Sequence, residues 1–164
     1  MSALMRDRDE RHLRRMTRSD LDAVMAIETA SHVRPWTRGN FSDSLASGYF
    51  ADVLVDADAR LVGYCVAAAG VDEMHLLNLS VAPGERRRGH ASFMLRALIA
   101  HCRAEGIAQL WLEVRVSNDA ARRLYRQLGL QEVGLRPSYY PATPADPKAR
   151  GEDAVLMQLQ IGAA

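Results

Sequence analysis

The sequence predicts an α/β chain of the α+β kind: a mixed, mostly antiparallel sheet of about six or seven strands with helices on both faces. Three observations predict it. The β-rich runs YFADVLVD, RLVGYCVAA and EMHLLNLSVAP follow one another with short connections, the pattern of antiparallel hairpins. Strand and helix patterns then alternate from EMHLLNLSV to the second glycine-stopped helix, which asks for crossover connections. Finally, two segments have unmistakable periods. Ala91, Met94, Leu95, Leu98, Ile99 and Cys102 recur at helical spacing, while Leu110, Leu112, Val114 and Val116 alternate with Trp111, Glu113 and Arg115.

Taken in order, residues 12–17 read as a first strand. Ser19 is the expected cap of a first helix, with Asp22 three residues on. A second helix is expected between Thr37 and Gly48. The first two β-rich runs are joined by DADA, and the third is ended by Pro83 and Gly84. The long helix after Gly89 stops at Gly106. AQLWLEVRV is a strand, and SNDAARRLYRQLG is a helix capped by Asn118 or Ser117 and ended by Gly129. GLQEVGL and DAVLMQLQI are the last strands, with RPSYYPATPADPKARGE read as a loop between them. The order is β-α-α-β-β-β-α-β-α-β-β.

With 164 residues, a single domain over 12–164 is expected, preceded by a flexible N-terminal extension at 1–11. The net charge of +1 provides no global attraction to nucleic acid or an anionic membrane. Lys148 is the only lysine, so arginine itself carries little functional meaning. Cys65 and Cys102 sit in apolar runs without metal-ligand spacing, so core packing is expected and no metal. The N-terminus lacks an apolar signal core, and no run is long enough to span a membrane. A cytoplasmic protein is expected.

The stretch SVAPGERRRGHASFM joins the third β-rich run to the long helix. A helix N-terminus presents unpaired N–H groups and a partial positive charge, and a glycine turn before it lets backbone surround a diphosphate. Gly89 permits that approach, and Ala91 is small. The spacing is neither that of a P-loop nor that of a dinucleotide fingerprint. Read alone, the feature is a turn.

Arg86, Gly89 and Ala91 nevertheless match the (Arg/Gln)-x-x-Gly-x-(Gly/Ala) signature of the GCN5-related N-acetyltransferases, in the same strand–motif–helix context. His90 departs from the apolar residue usual there. LNLSVAP, PWT, LWLEVRVSNDAARRLYRQLGL, RPSYYP and EDAVLM further resemble the ribosomal-protein-alanine N-acetyltransferases, the bacterial RimI group within that family. The resemblance covers residues 12–161. It implies the GNAT fold, acetyl-CoA as cosubstrate, no metal, and a ribosomal protein N-terminal alanine as acceptor. No membrane, no direct nucleic-acid partner and a monomer are also expected.

By the same resemblance, Glu113 is the general base and Tyr125 the general acid that protonates the departing thiolate. The main chain of Leu79, Ser80 and Val81 would hold the pantetheine arm, and Arg86, Arg87, Arg88, Gly89, His90, Ala91 and Ser92 would surround the diphosphate. Asn118 would touch the cofactor as well as cap its helix. Trp36, Tyr139 and Tyr140 are candidates for the peptide groove. Each residue also has a plainer reading: Glu113 as a surface glutamate paired with Arg115, Tyr125 and Trp36 as core aromatics. Burial beside Trp111 is expected to raise the Glu113 pKa toward neutrality. An α-amine (pKa ~7.7–8.0) is ~2.5 units easier to deprotonate than a lysine (~10.4), which favours an N-terminal acceptor.

Two alternatives stand beside this reading. One keeps the fold and changes the acceptor to another protein N-terminus, an internal lysine or a small amine. The other is a non-catalytic acyl-CoA or RNA-binding module that uses the arginine triplet.

Overall fold

The computed structural model describes residues 10–142 and 151–162. They form strand β1 (His12–Arg15), helices α1 (Leu21–Ser31) and α2 (Arg38–Ala46), strands β2 (Phe50–Val55), β3 (Leu61–Ala69) and β4 (Glu73–Val81), helix α3 (His90–Ala104), strand β5 (Gln109–Arg115), helix α4 (Asp119–Gln127), and strands β6 (Gln131–Tyr140) and β7 (Glu152–Gln160). The predicted order holds, with 3-10 turns added at Arg18–Asp20 and Pro83–Glu85. One seven-stranded sheet runs β1-β2-β3-β4-β5-β7-β6. β1, β2 and β3 pair antiparallel, as do β5, β7 and β6, while β4 and β5 are parallel. Contacts group the chain into two compact units, Met1–Ala67 with Leu77–Leu95 and Ala68–Leu76 with Arg96–Ala164. The expected extension up to residue 9 and the expected loop over 143–150 lie outside the described residues.

In the first unit, β1 stops at Arg15, though the Met16 amide still donates to the Ala51 carbonyl at 2.9 Å. A 3-10 turn, Arg18–Asp20, opens the helical segment two residues earlier than expected and runs into α1 at Leu21. Thr17, not Ser19, caps the turn, and Asp20, not Asp22, completes the box by accepting from the Thr17 amide at 2.8 Å. Arg14 explains the choice, because it donates to both Asp20 carboxylate oxygens at 2.8 Å and so holds that carboxylate in place. Thr37 caps α2 by accepting from the Asn40 amide. The core gathers Met16, Leu21, Val24, Phe41, Val53, Tyr64 and Val66. Gly63 lets β3 pass close by: a Cβ there would sit 2.9 Å from the Ser80 carbonyl oxygen.

In the second unit, β5 alternates as predicted, burying Leu110, Leu112 and Val114 and leaving Trp111, Glu113 and Arg115 half-buried. Val116 lies past the strand and is exposed. Asn118, rather than Ser117, caps α4, its side chain accepting from the Ala121 amide at 3.2 Å. The residues RPSYY, expected in a loop, continue β6 to Tyr140. β6 is an edge strand, where Pro137 forfeits no ladder bond. The register shifts between Arg136 and Tyr140, with Ser138 at φ 52° and its amide on the Asp153 carboxylate at 2.8 Å. This is a bulge that re-aims the side chains around it.

Candidate functional site

The arginine–glycine loop of the first unit has two residues in the left-handed region, Arg87 at φ 64° and Gly89 at φ 76°. Such turns line up backbone N–H groups for an anion, and the 15-residue helix α3 begins immediately afterwards. The side chains of Arg86 and Arg87 are exposed, and Arg88 donates to Glu85 at 3.1 Å. His90 is buried rather than facing solvent. Its Nδ1 lies 3.1 Å from an Arg11 guanidinium nitrogen, which donates to it, and its Nε2 lies 3.5 Å from a Glu85 oxygen. Ala91 and Ser92 follow in the first turn of α3. A diphosphate fits this donor set of exposed cations, left-handed backbone and helix start.

Leu79, Ser80 and Val81 end β4. The parallel ladder to β5 covers only Glu73–His75 opposite Gln109–Trp111, and both strands continue beyond it. The Ser80 side chain is turned into a buried polar ring. Glu28, 1% exposed, accepts from the Tyr64 hydroxyl, from Asn78 Nδ2 at 3.0 Å and from the Trp36 amide at 3.0 Å. Ser80 Oγ donates to Asn78 Oδ1 at 2.9 Å, so its own contact with His32 Nε2 at 2.8 Å is one it accepts. Ser80, His32 and Glu28 therefore have the composition of a nucleophilic triad without its wiring: the imidazole donates to the serine rather than deprotonating it. Trp36 is half-buried against Phe41, their centroids 5.1 Å apart. It also lines a cleft of about 380 Å³ with Asn40, Asp43, Ser44, Tyr49 and Leu77.

The second unit carries the candidate base. The Glu113 side chain is 8% exposed and pairs with His75 Nε2 at 2.5 Å and Arg136 Nη1 at 2.9 Å. Neither partner is Arg115, the pairing of the plainer reading; Arg115 pairs with Glu152 at 3.5 Å and lies over the Tyr140 ring at 4.2 Å. The expected upward pKa shift is also overturned. Burial does push the Glu113 carboxyl up, but the adjacent imidazole and guanidinium outweigh it and hold it below the usual carboxylate range. The carboxylate in turn raises His75 above an ordinary imidazole. Register explains the cluster. Arg115 and Arg136 both stand opposite Ala154 of β7, whose small side chain leaves room for Arg136 to cross to Glu113.

Arg136 also lies over the Tyr139 ring at 4.7 Å, and the two tyrosines meet edge to face at 5.0 Å. Burial is the main cause pushing Tyr140 up to about 12. The predicted groove residues Tyr139 and Tyr140 thus join the predicted base through Arg136. Tyr125 is buried on α4, behind its Asn118 cap.

His75, Arg136, Arg11 and Glu28 were missed by sequence reasoning. His75 and Glu113 both occupy the half-buried phase of alternating strands, a weak signal without the β4–β5 register. Arg136 was hidden by the loop assignment. Both cysteines are buried, and burial raises the Cys102 thiol. Among the described residues, no group of three or more His, Cys, Asp or Glu side chains could hold a metal ion, and no helix is long and apolar enough to cross a membrane.

Comparison with known proteins gives this geometry a family. The acetyltransferase (GNAT) family profile matches residues 21–130. The [ribosomal protein bS18]-alanine N-acetyltransferase of Salmonella typhimurium is 35% identical over 146 residues, covering 89% of this chain and 95% of that one. Its Escherichia coli counterpart is 35% identical over 143 residues, covering 87% and 93%. The crystal structure of the ribosomal-protein-S18-alanine N-acetyltransferase from Escherichia coli superposes with a TM-score of 0.84 at 33% identity, over 94% of this chain and 96% of that one. A phosphinothricin acetyltransferase from Sinorhizobium meliloti, in complex with AcCoA, shares the fold at a TM-score of 0.76 and 21% identity, over 93% and 89%. The predicted glycine turn and mixed sheet thus mark a chain that belongs to the acetyltransferase (GNAT) family and is an N-acetyltransferase of its RimI-like branch.

Proposed function

We propose that this chain acetylates the N-terminal alanine of a ribosomal protein of the bS18 type, from acetyl-CoA, in the cytoplasm. Residues 12–164 act as one monomeric acetyltransferase domain. The full-length relationship to enzymes named for that substrate supports the acceptor. The observation that carries the chemistry is the Glu113 carboxylate, nearly buried yet held ionised by His75 and Arg136.

Acetyl-CoA supplies the activated acetyl group as a thioester. The loop 86–92 and the start of α3 would hold its diphosphate by backbone amides, and the main chain of Leu79, Ser80 and Val81 its pantetheine arm, with Asn118 a further contact. Glu113 accepts the proton that the acceptor amine must lose, directly or through water. Tyr125 returns a proton to the thiolate as the carbon–sulfur bond breaks. A phenol near ~10 is a feasible donor to a thiolate near ~8.5. The depressed carboxyl makes Glu113 a weaker base than expected, which suits an α-amine already partly deprotonated near neutrality better than a lysine. Trp36, Tyr139 and Tyr140 orient the peptide.

Two peptides test the reading: one starting with a free alanine, and one N-terminally blocked with an internal lysine. Acetylation of the first alone is expected; modification of only the second removes the N-terminal assignment. Glu113→Gln should keep CoA binding and lower kcat by about 10²-fold. Unchanged turnover would remove Glu113 as the base.

A further inference from the structure

Arg11 precedes β1, yet it touches the loop on which the proposed cofactor site depends. One guanidinium nitrogen, Nη1, donates to the Arg88 carbonyl at 3.1 Å and to His90 Nδ1 at 3.1 Å, while the guanidinium carbon stands 4.5 Å over the Phe93 ring. Three contacts over residues 88–93 thus come from a side chain 77 positions before Arg88.

The carbonyl contact has a geometric consequence. The Arg88–Gly89 peptide is trans and planar, so its C=O and the following N–H point in opposite directions. Anchoring the carbonyl on Arg11 turns the Gly89 N–H away from Arg11. Left-handed Gly89 bounds this peptide, and left-handed Arg87 precedes Arg88. An arginine in that region is strained by about 1 kcal/mol or more, and persists only where its surroundings fix it. Arg11 is one such constraint. The Arg88–Glu85 pair is another.

The same contacts account for His90, the residue that departs from the family pattern. Nδ1 accepts from Arg11, while Nε2 is buried 3.5 Å from Glu85 Oε2 and makes no hydrogen bond among the described residues. His90 is only 8% exposed, so it serves the loop from behind.

We propose that Arg11 is a positioning residue for the diphosphate of the cosubstrate. Acting with His90, it fixes the Arg88–Gly89 peptide so that the Gly89 amide is preset for the anion. The inference rests on the acetyl-CoA reading above. It predicts that Arg11 matters only for ligands that carry the diphosphate, which distinguishes it from a residue that merely holds the fold.

The test uses the full chain and two acetyl donors, acetyl-CoA and S-acetylpantetheine, which lacks the diphosphate. Arg11→Met keeps the length and removes the donors and charge. It should weaken CoA binding by calorimetry about tenfold and raise KM for acetyl-CoA by a similar factor. It should leave kcat, the peptide KM and the rate with S-acetylpantetheine within about twofold. His90→Leu, which leaves Arg11 on the carbonyl, should weaken CoA binding about threefold or less. Equal losses with both donors, unchanged CoA affinity in Arg11→Met, or a larger loss in His90→Leu than in Arg11→Met overturns the proposal. If the wild-type chain fails to bind CoA, the acetyl-CoA reading itself falls. If only the variant comparison fails, the role of Arg11 falls alone.

Discussion

Glu113 shows how one side chain can be legible in type and illegible in state. Its place on an alternating strand was readable from LWLEVRV, and burial does act on it as expected. The imidazole and guanidinium that reverse the net shift come from β4 and β6, and no local pattern announced them. A depressed carboxyl contributes stability above its unfolded pKa that is lost as pH falls through the folded value. A raised imidazole contributes stability below its unfolded pKa, near 6.5, that is lost as pH rises through its folded value. Both contributions are therefore fully present only between those unfolded values. His75→Ala removes the stronger attraction and leaves burial less opposed, so the Glu113 carboxyl should rise. The acidic limb of the kcat/KM profile is expected to move to higher pH. A limb that stays in place or moves down would mean that His75 does not set the state of the base.

At the scale of elements, Glu28 ties α1 to the segment before α2, to β3 and to β4 through single bonds to Trp36, Tyr64 and Asn78. Burial and that carboxylate push the Tyr64 hydroxyl up, so it remains a donor. Removing the acceptor strands three buried donors at once. Glu28→Ala is expected to cost about 3 kcal/mol or more in urea unfolding, and Tyr64→Phe about 1 kcal/mol. Near-equal losses would show that the carboxylate is not the hub. The sequence displayed α1 as a periodic segment, but a glutamate in the middle of MAIETA looks like any solvated helix residue until its three partners are known. The same limit applies at the start of α1. TRSD and SDLD are both plausible capping boxes, and only Arg14, brought alongside by β1, selects Asp20.

Across the whole molecule, Cys65 is buried in the first unit and Cys102 in the second. Direct transfer needs neither thiol, so the Cys65→Ala, Cys102→Ala double variant should keep kcat within about twofold while losing about 1–3 kcal/mol of stability to the deleted core volume. Loss of turnover in a still-folded variant would point to an acyl-thiol route instead. The amino-acid order by itself determined the succession of strands and helices, the glycine turn before α3 and the family, because apolar periodicity, caps and glycines act over neighbouring residues and survive without the fold. The tertiary structure alone decided what joins them. β6 reached Tyr140 because an edge strand tolerates Pro137 and pairing with β7 fixes Tyr140 opposite Glu152. Glu113 became an ionised member of a His–Glu–Arg cluster, and Arg11 closed over the Arg88 carbonyl. Charge state and side-chain orientation depend on partners that strand register brings in from distant parts of the chain, and sequence spacing does not encode that register.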